Sequence, residues 1–118
     1  MKSHWTTHKG KRIFIADYSH LNVEELKAEV AEVEKILCSQ PNDSVMCLAD
    51  VSGTYGTPDT MKVIKGITAK TKFHVHKRAV VGIVGVQKVL LKAINQFSGQ
   101  ETVPFNNYES ALDWLVQE

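Results

Sequence analysis

The sequence predicts an α/β fold in which helices cover a mostly parallel central sheet. Two observations carry this prediction. The segments 44–50 and 78–84 are apolar at successive positions, as in strands that are covered on both faces. Stretches with apolar residues three or four positions apart alternate with the strands, which is typical of βαβ units with right-handed crossovers. The predicted element order is β(β)αβαβαβα.

The predicted elements begin with a β-hairpin. Segment 11–17 has a strand-like apolar run, and the preceding Gly10 favours a tight turn because glycine readily adopts positive φ. Residues 4–8 are therefore expected to pair with this strand. A helix follows, with Asn22 or Ser19 as its N-cap and with one charged face. Its apolar stripe consists of Leu21, Val23, Leu26, Val30, Val33, Ile36 and Leu37.

A second strand and helix are predicted next. The turn 41–43 opens the strand 44–50, and a loop then leads to a helix that is capped by Thr57. Pro58 suits the first turn of this helix, because its missing N–H has no partner to lose there. Gly66 either weakens the helix or lets another backbone approach it. The inward stripe contains Thr60, Val63, Ile64, Ile67 and Thr71.

The remaining elements complete the alternation. A strand at 78–84 is followed by a third helix with apolar positions between 86 and 97. Residues 102–105 are expected to form an edge strand, because the proline among them lacks an N–H donor. Asn106 or Asn107 then caps a last helix. Its inward-facing residues are Tyr108, Ala111, Leu112 and Leu115, joined by Trp114.

Length and composition restrict the class of protein. The 118 residues fit one domain, 1–118, and 43% hydrophobic with 23% charged residues is typical of soluble globular chains. A net charge of +1 predicts no bulk attraction to nucleic acid. The longest apolar stretches, such as 79–86, are far shorter than the roughly 18 to 20 residues that span a bilayer. Residues 1–5 lack the apolar core of a signal peptide.

The cysteine content indicates a reducing environment. Two cysteines are too few for a disulfide scaffold. Cys38 falls near a predicted helix end and Cys47 within a strand, and we expect both to be buried as small apolar side chains. The expected location is therefore the cytoplasm.

Four stretches carry a resemblance to a known family. They are Gly10–Tyr18, Val45–Gly53, Lys77–Gly85 and Phe105–Leu115. In this order they resemble the small bacterial SpoIIAA-like family, also described as STAS/CRAL-TRIO-like, over nearly the whole chain. The resemblance implies a sheet of four or five strands with helices packed against it. It implies little about activity, because a shared fold is a weak argument for a shared function.

The segment Asp50–Gly53 reads Asp-Val-Ser-Gly. STAS anti-sigma-factor antagonists carry an Asp-Ser-Ser-Gly-like stretch at this junction, whose second serine is phosphorylated by a partner kinase to block partner binding. The resemblance makes Ser52 a candidate phospho-acceptor. A phosphate there would add about −1.5 to −2 charges near the positive end of a helix. Val51 departs from the family pattern, and the alternative is a turn serine that bonds its own backbone.

The small net charge hides an uneven distribution. Residues 17–59 contain nine acids and two bases, whereas residues 60–100 contain eight bases and no acid. If these bases share one side of the fold, they attract a lipid headgroup, a phosphorylated ligand or an acidic partner. The alternative is that they are solvated helix positions balanced by the acidic first helix. The eight bases are Lys62, Lys65, Lys70, Lys72, Lys77, Arg78, Lys88 and Lys92.

Polar residues at strand ends are candidates for chemistry, because α/β proteins bind ligands there. Asp17 and Asp50 could act as paired carboxylates in acid–base catalysis, although capping their own loops explains them as well. Gly85 precedes a predicted helix, where backbone amides could hold an anion; the alternative is that the glycine allows tight packing between strand and helix. His74 and His76 have strand-like spacing but no nearby Cys, Asp or Glu, so we expect no metal and no cofactor.

The sequence therefore predicts a non-catalytic STAS-like binding or regulatory module. It would engage a protein partner or a small apolar or anionic ligand such as a lipid, with at most peripheral membrane contact and no nucleic acid. The alternative is a small enzyme that uses Asp17, Asp50 and Ser52. A homodimer is allowed by an edge strand, by Trp5 and by the exposed parts of the apolar helices. The loop residues expected near a ligand are Asp17, Asp50, Gly53, Tyr55 and Gly85.

Overall fold

The computed structural model describes residues 1–54, 57–83 and 102–117. The hairpin forms as predicted, both central strands are present, and the predicted helix at 86–97 lies outside the described residues. In chain order the elements are β1 (His4–His8), β2 (Lys11–Asp17), α1 (Val23–Cys38), β3 (Val45–Asp50), α2 (Pro58–Thr71), β4 (Val75–Val81), β5 (Thr102–Phe105) and α3 (Tyr108–Val116).

The strands form one sheet in the order β1-β2-β3-β4-β5. β1 runs antiparallel to β2, and every other neighbouring pair is parallel. The hairpin turn has φ of 50° at Lys9 and 80° at Gly10, which matches the type I′ turn that suits the twist of two paired strands. The α/β class and the mostly parallel sheet are confirmed, and β5 lies at an edge as its proline predicts.

Strand β4 corrects a predicted boundary. The apolar run predicted a strand at 78–84, but the strand spans Val75–Val81. The apolar pattern does not include the first residues of β4, because His76 and Lys77 have polar side chains. These side chains instead contact residues that are distant in the sequence. His76 Nδ1 lies 2.8 Å from an Asp43 carboxylate oxygen, and Lys77 reaches backbone carbonyls at the end of α3. The strand ends where Gly82 adopts a φ of 89°.

Two apolar clusters lie on opposite faces of the sheet. Helices α1 and α2 cover one face and α3 covers the other. The face under α1 and α2 includes Phe14, Leu26, Val33, Leu37, Cys47 and Ile67, and the face under α3 includes Ile13, Ile15, Leu48, Ala79, Ala111 and Leu115.

Side-chain caps fix the helix starts. Asn22 accepts a hydrogen bond from the Glu25 backbone N–H at 2.8 Å, and the Glu25 carboxylate accepts one in return from the Asn22 N–H at 3.1 Å. This capping box selects Asn22 over Ser19. Thr57 caps α2 as predicted, and Asn107 rather than Asn106 caps α3.

One expectation about a single residue is wrong, and one of the two alternatives for Gly66 is excluded. Cys47 is fully buried, but Cys38 is exposed at the last turn of α1 rather than buried. Burial raises the pKa of the Cys47 thiol, which suits an inert core side chain. A Cβ built on Gly66 would meet no atom within 4 Å, so no other backbone approaches this glycine closely.

The carboxyl end of α3 is stabilised by cations from the sheet. This helix has no basic residue in its last turn. Lys77 Nζ instead donates to the carbonyls of Trp114 at 3.1 Å and Gln117 at 2.6 Å, and Lys11 Nζ donates to that of Val116 at 3.1 Å. A cation at this end satisfies free carbonyls and opposes the negative end of the helix dipole.

We expect Lys77→Met to lower the free energy of unfolding by about 1 kcal/mol, since the methionine keeps the apolar stem and loses both hydrogen bonds. Urea denaturation measures the change. The control is Lys35→Met, which removes an exposed pair with Glu32 and should change stability by less than about 0.5 kcal/mol. Equal effects of the two substitutions would contradict the role of Lys77.

Candidate functional site

The carboxyl ends of β2 and β3 bring two acidic residues together. Asp17 and Asp50 are register partners on these neighbouring parallel strands. The sequence placed both at strand ends, and their adjacency follows from the parallel register. This edge of an α/β sheet is where ligand crevices form, because the connecting loops diverge there.

Both carboxylate oxygens of Asp50 accept hydrogen bonds from neighbouring residues. Its side chain is buried, with one oxygen accepting the Ser52 backbone N–H at 2.9 Å and the other accepting the Tyr108 hydroxyl at 2.6 Å. Burial, the hydrogen bond to the Asp50 carboxylate and its negative charge raise the pKa of Tyr108, so the phenol stays protonated and donates. Tyr108 was predicted to face the core; it is instead 39% exposed, and its hydroxyl joins α3 to β3.

Asp17 forms a similar turn. One of its oxygens accepts the Ser19 N–H at 3.0 Å and the Ser19 hydroxyl at 2.5 Å, and the Lys2 ammonium lies 3.5 Å away. Burial by itself would raise the pKa of Asp17, but the hydrogen bonds from Ser19 and the charge of Lys2 outweigh it, so the pKa is lowered. Both carboxylates therefore hold the loops that follow their own strands.

The lowered pKa of Asp17 gives a testable pH dependence. A group whose pKa is lower in the folded chain stabilises the fold above its unfolded pKa of about 4, and this contribution is lost as the pH falls through the folded value. Asp17→Asn should therefore be less stable than the unaltered protein at about pH 6 and should lose less stability between about pH 6 and pH 3. Urea midpoints at both pH values measure this, and equal losses would contradict it.

The loops after β2 and β3 are joined to each other. The Tyr18 N–H donates to the Asp50 carbonyl and the His20 N–H to the Ser52 carbonyl, both at 2.8 Å. The Thr54 hydroxyl donates to the Tyr18 carbonyl in turn. We call the segments 18–22 and 51–54 the laced loops. Their backbone groups are largely paired, which leaves little freedom for rearrangement.

Ser52 and Gly53 sit tightly within the laced loops. Ser52 is half-buried rather than exposed, and its hydroxyl lies against Gly82 at the end of β4. Gly53 has a φ of 70° and faces the His20 ring so closely that a Cβ would collide with it. These contacts explain the glycine in Asp-Val-Ser-Gly by packing. Tyr55 and Gly85, also predicted near a ligand, lie outside the described residues.

The structure separates the predicted basic residues. Arg78 is buried under α2, where its Nη2 donates to the Thr71 hydroxyl at 2.9 Å, and its Nε has no hydrogen-bond partner within the described part of the chain. Lys77 lies on the opposite face of the sheet, against Trp114 of α3. Lys72 stacks on the Phe73 ring, and Lys65 is half-buried on α2. Lys88 and Lys92 lie outside the described ranges.

Two of the predicted bases meet at a groove between α1 and α2. Lys62 and Lys70 line it together with Lys27 and Glu34 of α1. The groove has a volume of about 280 Å³ and is open to solvent along one side. Its floor is apolar and is formed by Val30, Ala31, Val63, Gly66 and Ile67. We call this the α1–α2 groove.

His74 and His76 each have their own hydrogen-bond partner. His74 Nδ1 lies 2.8 Å from the Gln40 carbonyl, and His76 Nδ1 lies 2.8 Å from an Asp43 carboxylate oxygen. No group of three or more metal-ligating side chains occurs among residues 1–54, 57–83 and 102–117. None of the helices in the same ranges is long and apolar enough to cross a membrane.

Sequence reasoning missed three contributors to these sites. Tyr108 reaches Asp50 across a separation of 58 residues, and nothing in the local pattern signals this contact. Lys2 approaches Asp17 only because the hairpin folds back. The charge pattern places Lys27 on the solvated face of α1, and its position at the groove depends on how α2 packs beside it.

Comparison with known proteins identifies the fold. The structure is similar to the crystal structure of an uncharacterized protein of the DUF3478 family from Shewanella loihica PV-4, which has a SpoIIAA-like fold. The TM-score is 0.71, and the match covers 96% of this chain and 91% of that one at 17% sequence identity. No protein-family model and no curated protein matches the sequence. The SpoIIAA-like fold predicted from the sequence is therefore confirmed.

Proposed function

We propose that this SpoIIAA-like fold is a non-catalytic binding module whose α1–α2 groove takes an anionic amphiphile, a molecule with one apolar chain and an anionic head. The observation that carries the proposal is the combination of an apolar floor with lysines at the rim. Each part of the groove matches one part of such a ligand.

The floor suits an apolar chain. Gly66 contributes no side chain, and a Cβ placed there would have no neighbour within 4 Å. Val63 and Val30 flank this gap from the two helices. A volume of about 280 Å³ falls just below the range for small-molecule sites, which begins at about 300 Å³. This size favours a single chain over a folded protein segment.

The rim suits an anionic head. Three lysines and one glutamate line the groove, which leaves a net charge of +2. Lys70 lies 3.7 Å from Glu34, and Lys27 lies 3.6 Å from Glu24, but exposed pairs of this kind are weak and can rearrange. Lys62 is exposed and forms no ion pair with the described residues. Its ammonium is therefore the first candidate to meet a carboxylate or phosphate.

The enzyme alternative has less support. Asp17 and Asp50 each accept hydrogen bonds within their own loops, and Ser52 is held against Gly82. Groups that already hold the backbone have structural roles that explain their positions without catalysis.

Binding of dodecanoate and dodecyl phosphate, measured by calorimetry below their micelle concentrations, tests the proposal. Both should bind, whereas dodecanol and dodecyltrimethylammonium should bind at least about tenfold more weakly, because they lack the negative charge. The comparison of carboxylate with phosphate distinguishes a fatty acid from a phospholipid-like head.

Two variants locate the binding. Lys62→Glu should weaken binding of the anionic ligands by about tenfold. Gly66→Leu should abolish it by filling the floor. The control Lys35→Glu makes the same charge change on α1 outside the groove. Binding that survives Gly66→Leu, or that responds equally to both charge reversals, would overturn the proposal.

A further inference from the structure

The outer edge of β1 carries backbone groups that the hairpin does not use. In a two-residue hairpin the residues that flank the turn form a hydrogen-bonded pair, here His8 with Lys11. Hydrogen-bonded and non-hydrogen-bonded pairs then alternate along an antiparallel ladder. Thr6 and His4 are therefore bonded to β2, whereas Trp5 and Thr7 direct their N–H and C=O groups away from it.

These outward groups have no partner within the described part of the chain. The two edges of the sheet differ in this respect. β5 carries Pro104, which removes a donor from its edge, as natural edge strands often do. β1, with the sequence His-Trp-Thr-Thr-His, contains no proline, glycine, lysine or acidic residue and no bulge. Its edge is therefore open to another strand.

We propose that β1 pairs antiparallel with β1 of a second copy of this chain, centred on Thr6. In this register Trp5 of each copy faces Thr7 of the other. All four outward groups of each strand are then paired, giving four hydrogen bonds across the two-fold axis. A register centred on Trp5 or on Thr7 would pair only one residue of each strand, which gives two. The strand is thus most complementary to itself about Thr6.

The side chains tolerate this pairing. Thr6 meets its own copy, and threonine pairs are favourable in sheets. His4 faces His8 of the other copy, so no lysine or acid faces a like charge across the strands. Trp5 is half-buried, with the Arg12 guanidinium 3.7 Å from its ring centre, and its free edge would meet a threonine methyl. The result is a continuous sheet of ten strands, five from each copy.

Two short strands bury a small area, so the association is weak and depends on concentration. A disulfide trap identifies the register. The Cα atoms of a non-hydrogen-bonded pair are about 4.5 Å apart, within the range of a disulfide. In a Cys38→Ser background, Thr6→Cys should therefore form a covalent dimer under mild oxidation. Thr7→Cys is the matched control, because its Cα lies roughly 7–8 Å from that of its own copy, beyond easy bridging.

Sedimentation measures the association without a cross-link. The unaltered chain should shift from 13.2 kDa towards twice that mass as concentration rises to about 1 mM. Thr7→Pro removes only an outward N–H, so it should keep the hairpin, as an unchanged urea midpoint would show, and should abolish the shift. Concentration-dependent protection of the Trp5 and Thr7 amides in hydrogen exchange is also expected. A monomer at about 1 mM, equal cross-linking of both cysteine variants, or a dimer that survives Thr7→Pro would overturn the proposal.

Discussion

Replacing Gly82 by alanine should destabilise the fold by about 3 kcal/mol or more, the largest effect that we expect from adding a single methyl group. Gly82 has a φ of 89°, where residues with a Cβ are strained. The added Cβ would also lie 2.5 Å from the Ser52 nitrogen and 2.7 Å from its Cα. Backbone atoms cannot rotate away as a side chain can, so the end of β4 and the laced loops must move apart.

Two other glycines separate the contributions to this effect. Gly10 has a φ of 80°, and a Cβ added there would meet no atom within 4 Å, so Gly10→Ala should show the backbone strain alone, about 1 kcal/mol. Gly66 lies in a helix with open space around it, and Gly66→Ala should stabilise the protein by about 0.5–1 kcal/mol. Urea denaturation of the three variants should rank them in this order, and a Gly82→Ala variant no worse than Gly10→Ala would contradict the close contact.

Asp50→Ala should lower the free energy of unfolding by about 2–3 kcal/mol. The substitution removes both acceptors of a buried carboxylate, which leaves the Ser52 N–H and the Tyr108 hydroxyl without their partner. Tyr108→Phe removes one of these bonds and should lower stability by about 1 kcal/mol. This loss is smaller than the loss from Asp50→Ala, because Tyr108 is partly exposed and water can replace the missing hydrogen bond.

A double-mutant cycle tests whether the two side chains act together. In the Asp50→Ala background, Tyr108→Phe should have almost no further effect, giving a coupling of about 1 kcal/mol. Glu32→Ala, an exposed acidic residue paired with Lys35, is the control and should change stability by less than about 0.5 kcal/mol. Additive losses from Asp50 and Tyr108 would show that their hydrogen bond contributes nothing to stability.

Local signals in the sequence predict most of the fold. Three features each depend on only one or two residues, so the local sequence is enough to predict them: the hairpin turn at Gly10, the cap at Thr57 and the edge position of β5. The start of β4 depends instead on His76 and Lys77, whose polar side chains are satisfied by residues far along the chain. The spacing of apolar residues contains no information about such long-range contacts. The predicted start of the strand is therefore three residues too late.

At the candidate sites, too, the local sequence identifies single residues but not their long-range contacts. Asp17 and Asp50 stand out in the sequence because they end apolar strands. The role of Asp50 depends on its partner Tyr108, a contact set by the packing of α3. The run of bases left open whether they share one basic face. Adjacent residues of a strand point to opposite sides, which places Lys77 and Arg78 on different faces of the sheet. The α1–α2 groove arises from the gap at Gly66, which no single helix reveals.

The laced loops have a mechanical consequence for the space between the two helices. α1 and α2 both emerge from these loops and run side by side, so their starting ends are anchored to a common support. At their far ends the polar contacts between the helices are weak: the Cys38 thiol lies 3.8 Å from the Lys70 carbonyl, and Lys70 forms an exposed pair with Glu34. We therefore expect any widening of the α1–α2 groove to occur at the far ends of the two helices rather than at the laced loops.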